Sequence, residues 1–378
     1  MILTNVKRVV IKIGSALLIE NADSTIKSGW MRAICGNIAT FKKNRLEVVI
    51  VSSGAIGVGR NVLGLSSNKL KLEEKQAAAA AGQIRLAHAW QESLAEHKIS
   101  VAQILLTPAD TEERRNHLNA RNTIEALLEL DAVPVINEND TVATEEIRFG
   151  DNDRLAARVS QMIGADMLIL LSDVDGLYSA DPKKYSNASF IPEVNELNEK
   201  IFSMAGDASP GNSSGGMITK LAAAEIAMRA GCQVIIADGR KENSILKLGK
   251  KDRFTRFLPM ETPYTARKRW IAASVAHAGT IVIDNGAEQA LKSGGSLLPA
   301  GVNSIKGDFN RGDTVIICNM SGHRLGCGIT AYSAKDASLI LGKKSFQIEK
   351  LLGYRGRDEI IHRDNLVLDE KNFHITTN

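Results

Sequence analysis

Aromatic side chains are scarce: Phe, Trp and Tyr make up 4% of the 378 residues. A surface that binds nucleic acid by stacking successive bases needs such rings, so that class is disfavoured. A dominant charge is missing as well. The 47 Lys and Arg nearly balance 43 Asp and Glu, leaving +4, too little for nucleic-acid binding by global charge, although a local patch stays open. There is no long hydrophobic run. The stretch from Trp270 to Ile283 lacks Lys, Arg, Asp and Glu but is too short and mixed to span a bilayer, so a membrane role is not expected. The apolar run entered at Val9 leads to no signal-peptide cleavage region. Cys35, Cys232, Cys318 and Cys327 make no close metal-ligand pair, and read as buried small hydrophobes in a reducing, cytoplasmic compartment. None of the seven His stands in a metal-binding spacing. With no Gly-x-Ser-x-Gly elbow and no flanked cysteine nucleophile, covalent catalysis has little support.

What is present suits a folded, soluble chain of two or three domains: 44% of residues are apolar and 24% charged. Through the first 240 residues, β-branched runs alternate with helical stretches. Strands are expected at Arg8–Ile13, Glu47–Ser52, Val101–Leu106, Val133–Ile136, Met167–Ser172 and Gln233–Ala237. Helices are expected at Leu72–His97, Asn116–Leu130, Arg154–Ile163 and Lys220–Ala230. Nearly continuous Val, Ile and Leu in the strands indicates a largely parallel sheet covered on both faces. Ligands bind beyond the C-terminal strand ends of such sheets.

The pattern changes after residue 240. Residues 240–270 carry ten Lys or Arg against three Asp or Glu. Short β-like runs then follow at Thr280–Ile283, Ser296–Leu298, Thr314–Cys318 and Gly326–Thr330, which suits a small β-rich domain. The expected division is 1–265, a linker at 266–277, and 278–378.

Five segments can carry chemistry. Lys12 sits within the strand Arg8–Ile13, where an ammonium needs either an anion or a route to water. Ser52 to Gly59 follows a strand and can place backbone N–H groups at a helix start. Its glycine order is not the dinucleotide fingerprint, and an ordinary tight turn explains it nearly as well. Asn137-Glu138-Asn139-Asp140 and Asp151-Asn152-Asp153 form two polar clusters close enough in sequence to line one cleft. Helix capping explains one such residue but not both clusters. Ser172-Asp173-Val174-Asp175-Gly176 follows another strand and borders a ligand or merely turns. The Gly211 to Lys220 loop opens a helix and suits polyphosphate, without the P-loop order; a solvated linker is the alternative. With nucleophile, base and resident metal all lacking, positioning plus positive charge remains, and that is how phosphoryl transfer is catalysed.

Taken in order, VVIKIGS (9–15), VSSGAIGVG (51–59), HLNARNT (117–123), VPVINENDTVA (133–143), FGDND (149–153), LLSDVDGLYSADP (170–182) and SGGMITK (214–220) resemble the amino acid kinase family. ARKRW (266–270) and SLLPAGV (296–302) extend the likeness along nearly the whole chain. The resemblance implies an α/β fold: a three-layer α/β/α sandwich around a mainly parallel sheet, plus a small C-terminal β-rich domain similar to PUA domains. It implies ATP as co-substrate, Mg²⁺ arriving with it and no protein metal ligands, L-glutamate as acceptor through its side-chain carboxylate, and entry into proline biosynthesis.

By the same resemblance, Lys12 and Lys220 flank the transferring phosphoryl and Asp153 holds both lysines. Ser53, Asp140 and Asn152 contact the acceptor, with Asp140 a partner for its α-ammonium. Ser172, Asp173, Ser214, Gly215, Gly216, Met217, Ile218, Thr219, Lys220 and Lys12 contact ATP. A homo-oligomer (dimer or tetramer), proline feedback and transient contact with glutamate-5-semialdehyde dehydrogenase are also implied. The alternatives are a family member acting on N-acetylglutamate, aspartate, carbamate or a nucleoside monophosphate, and an RNA-binding protein with a kinase-like scaffold. RNA binding by the C-terminal domain stays open, because residues 278–356 carry nine basic against six acidic residues.

Overall fold

A computed structural model describes residues 5–20, 24–65, 70–143, 152–205, 216–241, 244–248, 252–272 and 277–369. The chain divides into two compact units, Met1–Pro263 and Tyr264–Asn378.

In the first unit the strands are β1 (Arg8–Ile13), β2 (Glu47–Ser52), β3 (Val101–Leu106), β4 (Val133–Glu138), β5 (Met167–Ser172), β6 (Leu177–Tyr178), β7 (Phe190–Ile191), β8 (Glu193–Val194), β9 (Gln233–Asp238) and β10 (Phe254–Phe257). The helices are α1 (Ser15–Leu18), α2 (Ser28–Lys43), α3 (Ala55–Val62), α4 (Leu72–Ala95), α5 (Pro108–Glu112), α6 (Arg114–Glu129), α7 (Asn152–Ile163), α8 (Glu199–Ser203) and α9 (Met217–Arg229). Among the described residues, the main sheet runs β3-β4-β2-β1-β5-β9-β10-β8. Neighbours from β3 to β9 are parallel, and β10 runs antiparallel to β9. Strands β4 and β9 run past the expected ends, because Asn137 and Glu138 pair with Leu105 and Leu106, and Asp238 pairs with Ser172. The chain leaves β1 for β2 on one side and later returns to β5 on the other. This reversal opens a crevice beyond the C-terminal strand ends.

Alternation along each strand sorts side chains between two cores. Val9, Ile11, Val48 and Ile50 pack with Ile38, Leu86, Trp90 and Leu94 from α2 and α4. Val10, Val49, Val51 and Leu170 pack with Ile124, Leu155, Val159 and Leu221 from α6, α7 and α9. The sheet is thus the middle layer of three.

Helices α3 and α4 meet backbone to backbone. A Cβ at Gly59 would lie 1.7 Å from the Ala78 carbonyl oxygen, and one at Gly82 would lie 1.8 Å from that of Ala55. Only glycine permits that approach.

Helix α10 (Pro263–Ala272) lies at the division between the units, so the expected linker begins inside it. The second unit continues with β11 (Gly279–Ile283), α11 (Asn285–Lys292), β12 (Val302–Gly307), β13 (Thr314–Cys318), β14 (Arg324–Ile329), α12 (Ala334–Leu339), α13 (Ile348–Leu352) and β15 (Leu366–Leu368). Its sheet order is β12-β11-β13-β14-β15, around a core that includes Ile281, Ile283, Phe309, Val315, Ile317 and Tyr332. The β-like run expected at Ser296–Leu298 provides only a bridge from Leu297 to Ile361, and the strand forms later, at β12. Among the described residues, no helix is long and apolar enough to cross a membrane.

Candidate active site

Lys12 shares the face of β1 that carries Val10, so alternation turns it toward α7 and α9. Helix α7 brings Asp153 in its first turn, where the helix dipole favours an anion. Helix α9 brings Lys220 in its own first turn, where the dipole disfavours a cation. The three side chains meet: Lys12 Nζ is 2.6 Å from Asp153 Oδ1, and Lys220 Nζ is 2.9 Å from Asp153 Oδ2. Thr219 Oγ1 lies 2.8 Å from the Gly216 carbonyl oxygen and 3.2 Å from Asp153 Oδ2.

All three charged residues are buried, Asp153 completely. Burial pushes the Asp153 carboxyl up, but the ammonium groups of Lys12 and Lys220 outweigh it and hold the group down to about 2. The carboxylate is therefore ionised at neutral pH. Two ammonium groups on one carboxylate give the cluster one net positive charge, which suits an anionic ligand.

At the ends of β2 and β4, on the side of the sheet that faces α4, lies a group of uncharged side chains that Asn152 of α7 joins. Asn152, the first residue of α7, turns Nδ2 toward the Ser52 carbonyl oxygen at 2.6 Å, Asn137 Oδ1 at 2.8 Å and Ser53 Oγ at 3.0 Å. Asn137 Oδ1 also accepts from the Glu138 backbone N–H at 2.9 Å, and Asn137 Nδ2 donates to Gln83 Oε1 at 2.7 Å. Trp90 Nε1 donates to Ser52 Oγ at 3.1 Å. Asp140 lies half-buried, two residues beyond the end of β4. Its loop is tied to α4 where Gln76 Nε2 donates to the Ala143 carbonyl oxygen at 3.0 Å.

The residues expected to contact ATP are spread wider. Ser172 ends β5 and is 3.2 Å, Oγ to Oδ1, from Asp173. Gly216, Met217, Ile218, Thr219 and Lys220 occupy the start of α9, whereas Ser214 and Gly215 lie outside the described residues. Beyond β5 and β9 is a cavity of about 260 Å³ whose lining includes Asp175, Asp238, Lys241, Asp252 and Arg253. Neither Ser172 nor Asp173 lines it. Among the described residues, no group of three His, Cys, Asp or Glu is placed to hold a metal ion.

The sequence reading misses Gln76, Gln83 and Trp90. They recur every seven residues, which places them on one stripe of α4. Two amides and an indole at that spacing, beside an alanine run, were the available signal.

The sequence pattern of the amino acid kinase family matches residues 7–238, and that of the PUA domain matches residues 279–352. The chain is 56% identical to "Glutamate 5-kinase" of Paramagnetospirillum magneticum over 363 residues, which cover 96% of this chain and 98% of that protein. It is 54% identical to the protein of the same name from Rhodospirillum rubrum, covering 96% of each. Among solved structures, the UMP kinase of Ureaplasma parvum superposes with a TM-score of 0.50 at 20% identity, over 67% of this chain and 99% of that one. At that identity, the likeness speaks for the fold alone.

Proposed function

The chain belongs to the amino acid kinase family, and from that premise we propose that it transfers the γ-phosphoryl group of ATP to the side-chain carboxylate of L-glutamate, the first step of proline biosynthesis. The observation that carries this reading is the buried Lys12–Asp153–Lys220 cluster at the C-terminal strand ends.

The acceptor carboxylate has a reference pKa of about 4.3 and is already ionised at neutral pH, so no general base is required. One carboxylate oxygen forms a bond to the γ-phosphorus as the bond to the bridging oxygen of ADP breaks. No proton moves. The obstacle is the approach of one anion to another. Lys12 and Lys220 oppose it with positive charge fixed before the reaction begins, and Asp153 keeps both ammonium groups in place. Mg²⁺ enters as part of the nucleotide, held by phosphate oxygens and water.

Ser53, Asp140 and Asn152 receive glutamate, with Asp140 facing its α-ammonium. Ser172, Asp173 and the Ser214–Lys220 segment receive the nucleotide. Residues 1–265 form the catalytic domain, and 266–277 join it to the PUA-like domain at 278–378.

Glutamate-dependent ADP formation with Mg-ATP, with the acyl phosphate trapped as a hydroxamate, tests the assignment. Turnover on N-acetylglutamate with none on glutamate would overturn it. The reading extends to partners. Self-association is tested by analytical ultracentrifugation, and hand-over of the acyl phosphate by mixing with the dehydrogenase that reduces it. RNA contact by the PUA domain is tested by titration at rising salt, where phosphate contacts must weaken.

A further inference from the structure

The neutral cluster has an internal direction, and backbone groups impose it. The Ser52 carbonyl can only accept, so the Asn152 atom facing it at 2.6 Å must be Nδ2. The Glu138 N–H can only donate, so the Asn137 atom facing it must be Oδ1. Those two assignments agree where the side chains meet, Asn152 Nδ2 donating to Asn137 Oδ1 at 2.8 Å. Asn137 then has only Nδ2 left, and the group it reaches is Gln83, which must present Oε1.

The consequence for a ligand follows from hydrogen counting. Asn152 Nδ2 carries two hydrogens and already faces three oxygens. The side-chain atom Asn152 can still offer is its Oδ1, which only accepts. An acceptor suits an ammonium group and repels a carboxylate.

From this we infer that Gln83 is a positioning residue for acceptor recognition. Its Oε1 fixes the Asn137 amide, which holds Asn152 with its carbonyl oxygen available to the α-ammonium of the amino acid. Gln76 and Trp90 serve the same end from the same stripe of α4. Gln76 ties the loop that carries Asp140 at the Ala143 carbonyl, and Trp90 holds the Ser52 hydroxyl. One helix face thus sets the ends of β2 and β4 and the loop beyond β4, all on the acceptor side. The cluster around Asp153 draws on β1, α7 and α9 and receives no α4 side chain in the hydrogen bonds described above.

The inference rests on glutamate being the acceptor, so wild-type turnover on glutamate is measured first. Its absence sinks both readings. With turnover present, Gln83→Met removes the acceptor while keeping side-chain length. It is expected to raise the KM for glutamate about tenfold, the scale of one buried donor left without a partner. The KM for ATP should be unchanged, and kcat should stay within about twofold. Gln83→Glu retains an acceptor for Asn137 Nδ2 and is expected to restore the wild-type KM for glutamate. A merely structural role would instead follow melting temperature and move both KM values together.

An unchanged KM for glutamate in Gln83→Met overturns the inference, and so does a Gln83→Glu variant as impaired as Gln83→Met. Should Gln83→Met fail to fold, Gln76→Ala is the second arm. It is expected to raise the KM for glutamate about threefold through the Asp140 loop, and an unchanged value there also overturns the inference.

Discussion

The two faces of one parallel sheet end in opposite kinds of chemistry. Toward α7 and α9, the strand ends meet two ammonium groups and a carboxylate. Toward α4, they meet amides, hydroxyls and an indole. The first group acts by charge, and its geometry is held by strong, nearly undirected attraction. The second acts by direction, since each hydrogen bond has a fixed polarity and a narrow angle. In phosphoryl transfer both are needed at the same place: a positive site where charge moves and a directional site to hold the acceptor in line. Helix α7 joins the two, with Asp153 in the first group and Asn152 in the second.

The contrast can be broken most forcefully at Asp153. Replacing it by Asn leaves two buried ammonium groups facing a neutral amide, and a destabilisation of about 3–5 kcal/mol is expected by urea unfolding. A loss below 1 kcal/mol would show that the charged cluster is not held by its carboxylate. Next in size is the catalytic effect of the lysines. Lys12→Ala or Lys220→Ala should lower kcat by about 10²-fold or more, as loss of charge at the transferring phosphoryl requires. Steady-state assays giving a wild-type kcat would refute the role.

On the acceptor side the effects should be smaller and confined to glutamate. Asp140→Ala is expected to raise the KM for glutamate about tenfold with the KM for ATP little changed. The reverse pattern would move Asp140 to the nucleotide side. The gentlest probe is acid. Because the folded Asp153 carboxyl lies below its unfolded value of about 3.9, its contribution is fully present above that pH. It is lost as pH falls through about 2. The stability gap between wild type and Asp153→Asn should therefore narrow across that window, whereas the gap between wild type and Gln83→Met should not. A gap to Asp153→Asn that is independent of pH would remove the charged side of the comparison.

How much was legible in the sequence follows the same division. Lys12 announces itself because a cation inside a run of Val and Ile needs a reason, and the strand period then assigns it a face. The parallel strands were legible because burial on both sides leaves continuous apolar runs. Helix α2 had the right signal, with Met31, Ile34, Cys35, Ile38 and Phe41 buried at helical spacing, yet strand–helix alternation alone gave it no role. The amide side was harder. Asn137 stood out beside Glu138 and Asp140, but Gln83 gains meaning only when α4 is laid against the ends of β2 and β4. The seven-residue recurrence of Gln76, Gln83 and Trp90 marks a shared helix face but does not name the long-range partners. The late β-run at Ser296–Leu298 misled for a related reason: of its two leucines Leu297 makes one bridge, and Pro299 then opens a 3₁₀ turn before β12 begins.

The contact of Gly59 with Gly82 has a practical meaning for anyone who would redesign the protein. Most helix pairs can be spread or drawn together by exchanging the side chains between them. Here backbone rests on backbone, so that adjustment has no handle. Under the proposed reading, a roomier berth for a longer amino acid is therefore not gained by fine side-chain exchange between α3 and α4, where even one added Cβ clashes with backbone. That leaves the turn that bears Asp140, the proposed acceptor ligand, as the place to alter.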